Sequence, residues 1–358
     1  MERSPDKNNY PDYIEKVYDF IISHGQRPER VDVFLSATIP NATRSKVQDA
    51  IDAGNVTING KVHKASRKIQ PGDVVQCRVM KPPPLELVPE NIPLDIRYED
   101  EYLLVVNKPA GMVTHPGFGN RYGTLVNALL YHLGQRESIA LEGFEEDAEE
   151  DNTSYLYNNE AIRPGIVHRI DKDTSGLLVI AKNSVTHAHL ARQFAEHTCE
   201  REYNAIVWGV VKENEGRIES MIGRSPRDRK KFAVVQKDGK IAITNYTVLE
   251  RYDIFTLVRL KLHTGRTHQI RVHMSAMHNP LLGDDTYGGN VIAYGGVRNA
   301  TQKSLAQRCL DAMPRQALHA RTLGFTHPAT GARVMFEAEL PQDFEQVLAL
   351  VRAAQPEL

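Results

Sequence analysis

Asp171 and Asp173 lie close together in the stretch Arg163-Pro164-Gly165-Ile166-Val167-His168-Arg169-Ile170-Asp171-Lys172-Asp173-Thr174-Ser175-Gly176-Leu177-Leu178-Val179, where small and polar residues run into an apolar segment. A turn that feeds a rigid strand can hold a carboxylate at the rim of a cleft, where it serves as nucleophile or base. Residue types alone do not choose between the two, because an aspartate in a Ser/Thr/Gly-rich turn is by default a cap or turn former. A second stretch, Thr264-Gly265-Arg266-Thr267-His268-Gln269-Ile270-Arg271-Val272-His273-Met274, gathers Arg266, His268 and Arg271 where a strand gives way to a helix. A third, Arg201 to Gly209, alternates in a strand-like way around Tyr203.

Metal chemistry is not expected. His263, His268, His273 and His278 recur at a five-residue interval, which on a helix turns successive members about 140° apart, so they cannot converge on one ion. Cys77, Cys199 and Cys309 are odd in number and far apart, without the short paired spacings of zinc sites or secreted disulfide frameworks. A reducing, cytoplasmic setting fits them. The chain lacks an apolar run long enough to span a bilayer, and its start is polar rather than signal-like.

The elements that must position these residues fall into two parts. The segment from Asp12 to His24 places Ile14, Val17, Tyr18 and Ile21 at helical spacing and predicts a short amphipathic helix. From Arg30 to Val79 the pattern predicts two helices and a small sheet. Gly54 stands at a helix C-cap, and Asn59-Gly60 forms a two-residue hairpin. Lys81-Pro82-Pro83-Pro84 reads as a stiff linker. Beyond it, short β-rich runs such as Leu103 to Val106, Leu177 to Ala181 and Phe255 to Leu262 make strands the dominant element.

The formal charge of -1 hides an uneven distribution, because Glu137 to Glu160 carries nine acids and no Lys or Arg, leaving +8 on the remainder. Arg27 to Lys68 holds eight basic residues against four acids, and Arg217 to Lys240 holds eight against three. Local basic surface of this kind favours a phosphate backbone whatever the total charge. The acidic stretch Glu142 to Asp151 reads as a flexible loop.

Three resemblances give these features a common meaning. Arg30-Val31-Asp32, Arg44-Ser45-Lys46, Ile51 to Gly54, Val56 to Gly60 and Gly72-Asp73-Val74 resemble the S4 RNA-binding module, which implies RNA contact through residues such as Arg44 and Lys46. The Asp171 stretch resembles the active-site signature of the RluA-type pseudouridine synthases nearly residue for residue, with Ile170 in place of the more usual leucine. The Arg271 and Tyr203 stretches resemble the arginine and tyrosine motifs of the same family.

The resemblance implies that Asp171 is the catalytic aspartate, with Asp173 left as a turn former. Arg271 would pair with it, keeping a carboxylate ionised in a water-poor site. Tyr203 would stack on an extruded uracil, and Arg169 would occupy the gap left in the RNA. Arg266 is a phosphate or structural contact near the helix start. Arg229 and Lys230 belong to a basic hairpin that clamps RNA without reading its sequence.

The implied fold is α+β: a mixed, mainly antiparallel sheet flanked by helices and loops, plus the small S4 domain. The expected division is an N-terminal extension with a short helix over 1–26, the S4 domain over 27–80, the proline linker over 81–84 and a catalytic domain over 85–358. An acidic insert interrupts the last at about 137–160. The implied reaction isomerises uridine in large-subunit ribosomal RNA, free or in a pre-ribosomal particle, by a monomer without cofactor. Attack at C1′, addition at C6 and proton abstraction at C2′ all stay open. A non-catalytic RNA-binding protein is the contrasting class, and the set Asp171, Tyr203 and Arg271 argues against it.

Overall fold

The computed structural model describes residues 14–40, 42–81, 86–117, 120–140, 165–228, 230–292 and 296–355. The chain divides into two compact units, one formed mainly by residues up to 86 and the other mainly by those from 87 onward.

In the first unit, β1 (Ile14–Ile21), β2 (Val56–Ile58), β3 (Lys61–Val62) and β4 (Val74–Lys81) form a sheet of order β1-β4-β2-β3. It carries α1 (Val31–Thr38) and α2 (Arg44–Asp52). Asn59 and Gly60 both take positive φ and close β2 onto β3 with a two-residue turn, as their types predict. Gly54 is left-handed just beyond α2, and the Thr43 hydroxyl caps the start of that helix by accepting from Lys46 N–H. Val31, Leu35, Val47, Ile51, Ile58 and Val75 are central in the core.

The helix expected from Asp12 to His24 is instead a strand. β1 pairs antiparallel with β4 along its whole length, from Ile14 opposite Lys81 to Ile21 opposite Val74. The residues that face the core are Tyr18, Phe20 and Ile22, at a period of two, while Val17 and Ile21 are exposed. Aromatic and β-branched residues beside an open edge of β4 favour the ladder over an isolated helical turn. Residues 14–21 of the extension expected before residue 27 are therefore part of the small unit's sheet, and residues 1–13 lie outside the described residues. Residues 82–84 of the expected linker and 141–160 of the acidic insert lie outside the described residues.

From residue 86 onward the chain forms β5 (Glu86–Leu87), β6 (Ile96–Glu99), β7 (Leu103–Lys108), α3 (Leu125–His132), β8 (Ile139–Ala140), β9 (Gly165–Ile166), β10 (Ser175–Ala181) and α4 (Ser184–Ala195). It continues through β11 (Glu200–Trp208), β12 (Glu215–Arg224), β13 (Phe232–Val234), β14 (Lys240–Arg251), β15 (Phe255–Leu262) and α5 (Gln269–Ala276). Last come α6 (Ala300–Ala312), β16 (Leu318–Thr326), β17 (Arg333–Glu337) and α7 (Gln342–Ala353).

The main sheet runs β13-β12-β14-β15-β11-β16-β10-β7-β6, with β17 on β16 and β9 on β10. Its pairings are antiparallel except β10 with β16, so the expected mixed, mainly antiparallel sheet is what forms. Every residue of β10 is buried, and its Leu177, Val179 and Ala181 face packs into an apolar cluster with Leu103, Leu190 and Phe325. At the parallel contact Gly176 faces Ala320 with φ +121°, and a Cβ there would collide with the Ala320 carbonyl. That close approach sets the base of the turn that carries Asp171.

Candidate active site

The turn between β9 and β10 is held through consecutive backbone carbonyls. Thr114 Oγ1 donates to Ile170 O (3.1 Å), Thr174 N–H to Asp171 O (3.1 Å), and Arg315 Nη1 to Asp173 O (3.0 Å). Between them, Lys172 O accepts from Gly111 N–H (3.0 Å) and from Lys108 Nζ (2.9 Å). Lys108 is 1 % exposed and also donates to Pro109 O and Met112 O at 2.8 Å each, one acceptor for each ammonium hydrogen. Burial pulls its ammonium down to about 7, while Asp173 and Asp171 act in the opposite direction. This network leaves the Asp171 carboxylate at the surface of a backbone that cannot shift.

The helix α5 brings Arg271 to that carboxylate. Its entry turn is pinned by Gln269, whose Oε1 accepts from Thr264 Oγ1 (2.8 Å) and Arg266 N–H (3.0 Å). The Gln269 Nε2 group donates to Ile243 O (3.0 Å) and Thr244 Oγ1 (2.9 Å) on β14. His268 turns the chain in a left-handed conformation, φ 54°. From this platform Arg271 Nη1 donates to Asp171 Oδ2 at 3.0 Å.

The rest of the Arg271 guanidinium is clamped by a second carboxylate. Nε and Nη2 donate to Asp284 Oδ2 and Oδ1 at 2.7 and 2.9 Å, and Asp284 is fully buried. Oδ1 of Asp284 also accepts from the N–H groups of Thr286 and Tyr287, at 3.0 Å each. Burial alone would lower the Arg271 pKa; Asp284 foremost, and then Asp171, reverse this and leave it raised. The Tyr287 ring lies under the guanidinium, 5.1 Å from it, and the Tyr287 hydroxyl bonds to His268 Nδ1 at 2.9 Å. His268 Nε2 sits 3.9 Å from Asp171 Oδ2.

Tyr203 stands on β11, a central strand, opposite Leu260 and Ala320. Burial foremost raises its phenol pKa, with the Arg201 charge opposing and the Asp171 charge adding to the rise. Asp171 and Arg271, singled out from separate stretches of the chain, are brought into contact, and Tyr203 is buried on the central strand β11. Arg169 is exposed on the same turn as Asp171. Arg266 is turned aside: its Nε donates to Ile241 O at 3.0 Å.

The basic hairpin is anchored to the Arg271 region. Lys231 Nζ donates to Thr286 O at 2.8 Å, Phe232 N–H reaches the Tyr287 hydroxyl at 3.3 Å, and the Phe232 ring meets His268 edge-on. Lys230 is exposed at the tip, and Arg229 lies outside the described residues. In the first unit, Arg44 Nε pairs with Asp32, a fully buried carboxylate that also takes Arg30 and Gln48. The Arg30 bond, with Gln48 and Arg44, holds that carboxyl well below the usual carboxylate range. Arg44 therefore has an architectural partner, while Lys46 lies on the exposed side of α2.

Asp284, Tyr287, Lys108 and Arg315 were not singled out as site residues by the sequence reading. Asp284 lies in Leu282-Gly283-Asp284-Asp285-Thr286-Tyr287-Gly288-Gly289, whose composition signals only a tight turn. The one available hint was a pair of acids in a Gly-rich turn shortly after a motif crowded with cations.

Comparison with known proteins assigns both parts of the chain to families. The family model described as RNA pseudouridylate synthase matches residues 102–276, and that of the S4 domain matches residues 29–75. The chain belongs to the RNA pseudouridine synthases and is an enzyme of that class acting on RNA.

Among its relatives is an "Uncharacterized RNA pseudouridine synthase" of Chlorobaculum parvum, 46% identical over 92% of this chain and 96% of that protein. A second is the "Ribosomal large subunit pseudouridine synthase D" of Pseudomonas aeruginosa, 40% identical over 90% of this chain and 92% of that protein. A third is the "RNA pseudouridine synthase 2, chloroplastic" of Arabidopsis thaliana, 40% identical over 90% and 80% respectively. The solved structure named "Human RNA Pseudouridylate Synthase Domain Containing 4" matches with a TM-score of 0.52 and 25% identity, covering 72% of this chain and 92% of that one. Among the described residues no helix is long and apolar enough to cross a membrane.

Proposed function

We propose that this enzyme converts specific uridines of large-subunit ribosomal RNA to pseudouridine, with Asp171 as the catalytic carboxylate. The observation that carries the reading is the single guanidinium of Arg271 shared between Asp171 at 3.0 Å and the buried Asp284 at 2.7 Å. The choice of ribosomal substrate leans on the relatives named for the large subunit, from Pseudomonas aeruginosa, Zymomonas mobilis and Neisseria meningitidis.

The reaction breaks the N1–C1′ bond, turns the base and joins C5 to C1′; the C5 hydrogen leaves as a proton and N1 gains one. Atoms balance within the substrate and water, so the reaction calls for no imported group. The target nucleotide must leave its stack, at a cost of a few kcal/mol. Tyr203 receives the base, and Arg169, exposed on the turn of Asp171, fills the space it vacates. Asp171 acts at the sugar or base from a turn whose backbone is already fixed, which spares reorganisation during the reaction. The S4 unit, with Lys46 on its exposed side, and the hairpin around Lys230 add backbone contacts that weaken as salt rises.

Pseudouridine mapping of total RNA from cells with and without the gene tests the substrate. Marks that vanish from one large-subunit stem-loop and return with the gene support the proposal. An unchanged map in ribosomal RNA contradicts it.

A further inference from the structure

Arg201 is buried, 8 % exposed, yet it makes no ion pair with a carboxylate among the described residues, and its Nε has no hydrogen-bond partner. Its sequence neighbours are already engaged: Glu200 with Arg333 (2.8 Å) and Lys261 (3.3 Å), and Glu202 with Arg259 at 4.0 Å. The Arg201 guanidinium carbon lies 5.4 Å from the centre of the Phe194 ring. An unpaired buried guanidinium is costly, and in a native protein it calls for an explanation.

The surroundings supply one. Nη1 of Arg201 lies 2.7 Å from where a Cβ on Gly265 would stand, so the guanidinium occupies the space left open by that glycine. Gly265 opens the turn that leads to His268 and Arg271. Burial foremost, and then the cations Arg201 and Arg266, lower the pKa of nearby His197. On β11, Arg201 precedes Tyr203 by two residues, about 7 Å along the strand; both are buried, and the pairing with β16 shifts register between Glu202 and Tyr203. A planar fork of donors set among cations, beside the residue that receives the base, has the chemistry of a phosphodiester site.

We infer that Arg201 is the core of a phosphate subsite for the RNA backbone, holding a phosphodiester next to the uridine that enters the Tyr203 pocket. The inference rests on the function proposed above and assigns a binding role to a residue that touches neither Asp171 nor Arg271 in the hydrogen-bond network. The bound phosphate supplies the anion that the described residues do not provide, so RNA is drawn into register before the base is committed.

The test crosses protein variants with RNA variants, using the full chain and a stem-loop substrate carrying single neutral methylphosphonate linkages around the target uridine. Wild type is expected to lose about tenfold in affinity when one particular linkage is neutralised. Arg201→Met should lose a similar factor on unmodified RNA, show no further loss at that linkage, and keep kcat within about twofold. Gly265→Ala gives a second route that retains the charge: its backbone accepts alanine, but the new methyl displaces the guanidinium, and the same linkage should become indifferent. Losses that simply multiply at every linkage in both folded variants, or unchanged affinity in both, overturn the subsite and leave Arg201 as a structural cation seated on Phe194. Failure of wild type to form pseudouridine in any RNA would instead remove the reading on which the subsite rests.

Discussion

Arg271 serves two carboxylates with one guanidinium, and the two contacts differ in kind. Asp284 receives two parallel N–H groups and is closed off from solvent, whereas Asp171 receives one and is 21 % exposed. The buried partner fixes the plane of the guanidinium, and that plane aims Nη1 at Asp171. Asp284→Asn should therefore act at a distance, replacing one acceptor by an amide that opposes the Arg271 donors. The expected outcome is a fall in kcat of about 10- to 100-fold with RNA affinity little changed, read from single-turnover rates against a binding isotherm. Equal losses in both would make Asp284 a folding residue instead. Asp171, Arg271 and Tyr203 were legible in the sequence because their motifs are contiguous. Asp284 was not, because a Gly-Asp turn looks the same whether its carboxylate faces solvent or an arginine.

At the scale of elements, the turn before β10 shows how a short loop is made rigid. The neutral imidazole of His168 accepts the Val179 N–H at 3.0 Å while its ring stacks on Phe194, tying the start of the turn to the strand that follows it. Burial, with Arg201 nearby, lowers the His168 pKa to about 3, and burial with Arg169 does the same for His115, also to about 3.

The sign of the consequence follows from proton binding. Between the unfolded value near 6.5 and about 3, the unfolded chain holds protons that the folded chain excludes, so stability falls as pH drops through that window. Thermal melts of the second unit should show Tm declining from about pH 6.5 downward, with a shallower slope in His168→Gln, whose side chain can still accept but does not titrate. A Tm flat to pH 4 would contradict this assignment of neutral, buried histidines. The strands of the large sheet were readable from their apolar runs and alternation, and Phe255–Leu262 coincides with β15. The first element was not: Ile14 to Ile21 fits a helical stripe as well as a strand, and the free edge of β4 decides between them.

For the whole molecule, the net charge of -1 gives no hint of a polyanionic substrate, because the acids of 137–160 offset bases gathered elsewhere. The S4 match over 29–75 and the synthase match over 102–276 place RNA-directed features on both units. The division of labour was legible from charge and motif together, and the long-range brackets were not. Lys108 reaches Lys172, and Arg315 reaches Asp173, across sequence separations that no local pattern reports. Those brackets, more than the motifs, explain why an exposed turn can present a carboxylate in one orientation.

In the proposed function Asp171, held in that orientation by Arg271, carries the chemistry. The direct measurement is pseudouridine formation in a large-subunit RNA stem-loop by purified wild type and Asp171→Asn at saturating enzyme, with RNA affinity determined in parallel. The expected result is affinity within a few-fold of wild type and no detectable product from the variant. Turnover by Asp171→Asn at a rate approaching wild type would contradict it.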